Sequence, residues 1–210
     1  MRGGTSMDIF LVLIPGAFDS PDCTLLAERL RADLHVGPDS RDANQVHRWF
    51  HQLAADARQR MTPPDVPHIG AGMVRYHEDS KRTRFVLLGD RQGADLIARQ
   101  YFQFFGDLEP DAIVLLAPHA PAIHLNNITC PYLTVHGAHE WQRDSFLASR
   151  ITEAVSHHQY RYGDTTVSRV IEAPDDLGGA RLDPGVEDEV VDWVNHALKV
   201  GHRPQERMPA

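Results

Sequence analysis

The stretch with the strongest chemical character is Phe85–Gly93, FVLLGDRQG. A short apolar run stops at Gly89, Gly93 follows, and apolar residues then recur at helical spacing: Ala94, Leu96, Ile97, Ala98, Tyr101, Phe102 and Phe105. Strand, Gly-x-x-x-Gly turn and helix form the setting of a nucleophile elbow, which raises a central serine above the end of a buried strand. Here the central residue is Arg91. A guanidinium donates hydrogen bonds and carries charge, but it is not a nucleophile. The turn is therefore present without its alcohol. The tip of such a turn is a helix N-terminus, where amides and the positive end of the dipole point outward. An arginine there calls for something negative opposite it, or for a head group turned to solvent.

The remaining reactive side chains have plain readings. Asp90 is a carboxylate one position before the tip, so its side chain should point away from the turn. Cys23, near a helix start, and Cys130, before Pro131, read as small core residues with no disulfide pattern. His47 and His51 stand i, i+4 on one helix, a spacing that can bind zinc. Arg48 follows His47 where a metalloprotease motif has glutamate, so a solvated pair on a helix flank is expected. Among the 13 histidines, His119, His136 and His139 fall near strand ends. His139 beside Glu140 could act as an acid/base pair, and His136 reads as a turn residue. No metal and no cofactor is expected.

The elements that must position these residues follow from periodicity. Ile9–Ile14 is a continuous apolar run, the mark of a strand buried on both faces. Ser20-Pro21 should start a helix reaching about Asp33, followed by a very short strand at Leu34–Val36. Asp42 can cap a helix carrying Val46, Trp49, Phe50, Leu53, Ala54, Ala57 and Met61 inward, stopped by Pro63-Pro64. The segment 65–83 is least readable; Met73–His77 is a turn of helix or a minor strand. Gly106 should close the helix after the elbow. Ala112–Ala117, Tyr132–His136 and Val167–Ala173 read as strands. Asp144–His157 reads as a helix with Phe146, Leu147, Ile151, Ala154 and Val155 inward, and Pro184–Val200 as the last helix. The fold class is α/β: a doubly wound, mostly parallel sheet with helices on both faces and no cap domain. One domain over 9–200 is expected, with flexible tails at 1–8 and 201–210.

The chain has 210 residues and a formal charge of −8, from 21 basic and 29 acidic residues. This argues against nucleic acid or an anionic membrane as a partner. Ile9–Ile14 is too short to span a bilayer, and no cleavage site follows it, so a cytoplasmic protein is expected. Eight acids and one base lie between Ile171 and Asp192. They suit a solvated loop and helix start, with an acidic docking face through Glu187, Asp188 and Glu189 as the alternative.

In order and spacing these pieces resemble the α/β-hydrolase superfamily from about Ile9 to Val200. Ile14-Pro15-Gly16-Ala17-Phe18 looks like the loop that helps form the oxyanion hole. Gly89–Gly93 is similar to the elbow, and Cys130–Gly137 looks like the strand leading to the catalytic acid, with its frequent His-Gly ending. The resemblance implies serine at the elbow, an acid after His136-Gly137 and a histidine just past the last strand. This chain has Arg91 at the first position and Glu140 at the second. Pro174–Gly179, at the third, contains no histidine. The resemblance thus implies a degenerate triad and a pseudoenzyme rather than a serine hydrolase.

Two occupants could face Arg91: Glu140, which the superfamily geometry would bring close, or a small anionic ligand. Arg91, the amides of Gln92 and Gly93, and the Ala17-Phe18 loop would hold that ligand, and a protein partner at the same place is the variant reading. The alternative is an esterase- or thioesterase-like hydrolase with a non-standard site using Glu140 and His139 or His119.

Overall fold

The computed structural model describes residues 9–16, 21–61, 83–105, 110–162, 168–174, 177 and 181–200. Six strands, β1 (Ile9–Ile14), β2 (Ala32–Val36), β3 (Arg84–Asp90), β4 (Ala112–Leu116), β5 (Tyr132–Gly137) and β6 (Arg169–Ala173), form one sheet in the order β2-β1-β3-β4-β5-β6. Every ladder among them is parallel. The apolar runs are continuous because both faces of the sheet are covered.

Alternation along each strand splits the core into two layers. Leu11, Leu13, Val86, Leu88, Val114, Leu133 and Val135 face α1 (Thr24–Leu30) and α7 (Pro184–Val200), meeting Leu26, Val190 and Trp193. Val12, Leu87, Ile113, Leu115 and Tyr132 face the other way. There they meet Phe50 of α2 (Ala43–Met61), Ile97 of α3 (Gln92–Phe105) and Ile151 of α6 (Ser145–Tyr162). Each such side chain taken from water contributes roughly 1.5–3 kcal/mol.

Strand order reverses between β1 and β3. The chain leaves β1 outward to β2, returns to the other side of β1, and continues stepwise to β6. Ile14 is in register with Gly89, so the loops leaving β1 and β3 open side by side at the carboxyl ends. Ligands of doubly wound sheets bind at such a reversal. The interval between β4 and β5 holds one short helix, α4 (Ala122–Leu125), and leaves no room for a cap domain. A second short helix, α5 (Ala138–Arg143), follows β5 directly.

Several boundaries differ from the sequence reading. The first helix begins at Thr24 and ends at Leu30, because Arg31 turns left-handed with φ 54° and its amide bonds back to Ala27 and Glu28. That stop frees Ala32 and Asp33 for β2, which is longer than the expected Leu34–Val36. Asp42 and Asp144 cap as side chains should, accepting from the amides of Gln45 and Leu147 at 3.0 and 2.9 Å. Phe146 is not inward: it is 76% exposed, since the buried stripe of α6 runs through Ala148, Ile151, Ala154 and Val155.

The acids of α7 are exposed, as a solvated helix start requires, except Glu187. Glu187 is 6% exposed and lies 3.5 Å from Arg29, Asp188 also pairs with Arg29, and Glu189 pairs with Arg169. The three acids of the docking-face alternative are thus all engaged within the chain. The two tails, segment 65–82 with Met73–His77, and Gly106 lie outside the described residues.

Candidate functional site

β3 ends at Asp90, and Arg91 makes the turn into α3 with φ 46°. This is the left-handed region that L side chains avoid. Its amide donates to the Leu116 carbonyl at 2.7 Å, and its carbonyl accepts from Asp95 at 2.9 Å. The turn is therefore pinned to β4 on one side and to the first turn of α3 on the other.

The flanking glycines are required by close approach. A Cβ on Gly93 would stand 2.0 Å from the Ile14 carbonyl oxygen, and one on Gly89 would stand 2.7 Å from the Ala94 amide nitrogen. The helix thus starts hard against the end of β1. Because the Arg91 amide is engaged by β4, the amides that can face a ligand begin at Gln92.

The Arg91 side chain is half-buried and reaches across the strand ends. Its Nη2 donates to the Leu177 carbonyl at 3.3 Å, in the stretch after β6 where the resemblance places a histidine. Elbow and post-β6 loop, the two sides of the expected catalytic space, are bridged by one guanidinium.

β4 also ends in a left-handed residue, Ala117, with φ 47°. Its amide donates to the Val135 carbonyl at 2.7 Å. Two neighbouring strands thus end in backbone conformations that persist only where the surroundings enforce them. Asp95 supplies part of that enforcement. Its Oδ1 accepts from the amides of His119 and Ala120 at 2.7 and 2.6 Å, tying the loop after β4 to α3. Burial raises the Asp95 carboxyl above the usual range, against the pull of those two amides. As an acid in the first turn, it also offsets the positive helix end beside Arg91.

The histidines divide sharply. His119 and His139 are exposed, the first after β4 and the second on α5. His136, on β5, is buried, and burial pushes its imidazole down to about 3, helped by the charge of His119. An imidazole held that far below neutrality is a poor general base at pH 7. His47 and His51 meet at 3.2 Å between their Nε2 atoms on the outer flank of α2. Among the described residues, no group of three or more His, Cys, Asp or Glu side chains could hold a metal ion.

Asp90 is fully buried and, by strand alternation, faces α1 and α7 rather than the mouth of the site. It comes close beneath Gly16, where a Cβ would stand 2.9 Å from its Oδ2. Cys23 lies in the same layer. Burial first, then the charges of Asp90, Asp22 and Glu187, push its thiol up to about 12, which makes it inert. Its Sγ donates to the Pro21 carbonyl at 3.4 Å.

Of the residues proposed for the site, the structure brings Arg91, Gln92 and Gly93 to the carboxyl end of β3 and His119 to that of β4. His139 and the backbone of Glu140 follow β5 on α5. Ala17, Phe18 and the Glu140 side chain lie outside the described residues, and the Arg91–Glu140 pairing with them. Sequence reasoning did not single out Asp95, the Leu177 carbonyl or the turn at Ala117. Asp95 had a signal, an acid four residues after the elbow tip. The backbone partners had none.

No family model matches the chain, and no curated protein matches it in sequence. Solved structures do match in fold. Dienelactone hydrolase from Anabaena variabilis superposes with a TM-score of 0.52 at 14% identity, over 96% of this chain and 89% of that one. The hormone-sensitive-lipase homologue EstE7 from a metagenome library gives 0.52 at 12% identity, over 94% and 81%. The chain thus has the α/β-hydrolase fold.

Proposed function

We propose that this α/β-hydrolase-fold chain is a binding protein without serine-hydrolase activity, holding a small carboxylate or phosphate at the former active site. The ligand is either a free molecule or an acidic group presented by a protein partner. The observation that carries the reading is the reach of Arg91 from the strained elbow to the Leu177 carbonyl. It sets a cation at a helix N-terminus where an ester hydrolase needs an alcohol, and it closes the gap to a loop that has no histidine. An arginine in that place repels the dipole behind it, and an anion in front relieves both charges. A charge-assisted hydrogen bond of this kind contributes about 1.5–3 kcal/mol.

Isothermal titration with phosphate, acetate and short dicarboxylates tests this. Binding of one anion per chain is expected, weakened about tenfold or more in Arg91→Ala, since 1.4 kcal/mol is a factor of ten. Turnover of short acyl esters that disappears in Arg91→Ala would refute the proposal.

The competing reading is an esterase-like hydrolase with Glu140 and His139 or His119 in catalytic roles. It draws on one observation, the anchoring of the His119 amide to Asp95 beside the elbow. It requires ester turnover that collapses in His119→Ala or His139→Ala.

A further inference from the structure

Helix α2 carries two histidines placed as the arms of a chelate. Periodicity alone leaves His47 and His51 a solvated pair; the fold adds a distance. Their Nε2 atoms stand 3.2 Å apart, and the rings meet edge to face with centroids 4.3 Å apart. His47 is half-buried and His51 exposed. A zinc-like ion bound by imidazole sits about 2.0–2.1 Å from each nitrogen. At a metal angle between square and tetrahedral, roughly 90–110°, two such nitrogens lie about 2.8–3.4 Å apart. The pair already stands inside that interval.

The core holds the backbone of the pair in place. Val46 and Phe50, each one residue before a histidine, are fully buried, and Ala54 continues their line one turn later. Asp42 fixes the start of the helix: its side chain accepts from the Gln45 amide and its carbonyl from the Val46 amide. A chelate on backbone that is already ordered loses little freedom on binding. We propose that His47 and His51 form a surface site for a late first-row divalent cation, Ni²⁺, Cu²⁺ or Zn²⁺, held by both Nε2 atoms with water completing the coordination.

With both rings neutral, one Nε2–H donates to the other Nε2. A metal ion takes a lone pair from each nitrogen. The donating ring then carries its proton on Nδ1, an exchange through solvent with no net proton lost. Imidazole suits these ions, whereas Mg²⁺ and Ca²⁺ take oxygen ligands. The formal charge of −8 adds a general attraction for cations. Among the described residues no third His, Cys, Asp or Glu side chain completes a cluster. Coordination positions therefore stay open to water, and binding is weaker than at a closed four-ligand site. The site uses none of the residues proposed to hold the anion, so the two readings stand or fall separately.

Isothermal titration of the metal-free full chain with Ni²⁺ and with Cu²⁺ tests this. Cu²⁺ is expected to bind more tightly than Ni²⁺. His47→Gln and His51→Gln should each weaken binding about tenfold or more, with an unchanged far-ultraviolet circular dichroism spectrum. Ala55 is exposed one turn after His51. His47→Gln with Ala55→His therefore re-forms the i, i+4 spacing at 51 and 55 and should restore binding. The electron paramagnetic resonance of bound Cu²⁺ should show coupling to two imidazole nitrogens, reduced in either single variant. Equal binding by the wild type and by His47→Gln with His51→Gln would mean adventitious binding at other histidines only, and would overturn the proposal. So would a rescue variant that binds no better than His47→Gln. His51→Gln, at an exposed position, decides the matter should a change at His47 disturb the helix.

Discussion

Arg84 opens β3 and Arg91 follows its last residue, and the fold treats the two arginines in opposite ways. At the amino end, Arg84 meets Asp111 at 3.1 Å with only 13% and 14% of the two side chains exposed. The same carboxylate accepts from the Phe85 amide at 2.8 Å. Extended backbone, a matched charge and a closed environment make that arginine structural. At the carboxyl end, Arg91 sits in left-handed backbone at the positive end of a helix, half-buried, with its guanidinium on a carbonyl. The left-handed backbone and the helix dipole both disfavour an arginine there, which is why function is sought at this end.

A second pair of observations makes the same point. Ser168 and His158, the residue types of a hydrolase dyad, meet at 3.0 Å, but at the amino end of the strands. There Ser168 Oγ also accepts from the Tyr132 amide at 3.1 Å, and both side chains are buried. At 1% and 6% exposure the two are closed to solvent. Residue type makes chemistry possible, and placement in the sheet decides whether it happens.

The contrast can be broken experimentally. The largest effect is expected at the elbow itself. Gly93→Ala drives a Cβ into the Ile14 carbonyl and should cost about 3 kcal/mol or more in urea unfolding. A loss under about 1 kcal/mol would mean that α3 can shift away from β1 at little cost.

Next, Arg84→Ala leaves the Asp111 carboxylate without its ion-pair partner and should cost about 3 kcal/mol, the low end of the about 3–5 kcal/mol for breaking a buried pair, because the Phe85 amide still bonds it. Arg91→Ala should change stability by less than about 1 kcal/mol. Equal costs at the two ends would erase the distinction between a structural and a functional arginine.

His136 sharpens the comparison through pH. Its folded pKa lies below the ordinary 6.5, at about 3. Its contribution to stability is therefore present above pH 6.5 and is lost as pH falls from there toward about 3. Thermal midpoints recorded down this range should fall more steeply for the wild type than for His136→Gln. Parallel curves would show that the buried imidazole is not the acid-sensitive group.

The smallest effect is a gain. Glycine accepts φ 46° without strain, so Arg91→Gly should raise stability by up to about 1 kcal/mol while abolishing anion binding. A variant that binds anions undiminished would remove Arg91 from the site.

Legibility followed burial. Ile9–Ile14 and Ala112–Ala117 were readable because strands covered on both faces are apolar throughout, and Tyr132–His136 because its polar Thr134 and His136 still alternate with Leu133 and Val135. Phe146 was misread because periodicity shows that a helix has a stripe but not which of two adjacent lines the sheet covers. The end of α1 was misplaced because Arg31 adopts a left-handed cap that composition does not announce. The Glu140 pairing was a reading that only side-chain placement could test.

The sequence by itself determined the alternation of strands and helices, the glycines at 89 and 93, and the absence of serine and histidine from two expected positions. These are local facts about residue type, and the hydrophobic pattern that carries the fold is also local. Only the tertiary structure decided that Arg91 reaches the carbonyl of Leu177, 86 residues away in sequence, that Asp95 ties α3 to the loop after β4, and that a serine–histidine contact lies at the closed end of the sheet. Those outcomes depend on which strands lie side by side, and strand order is set by packing across the whole domain.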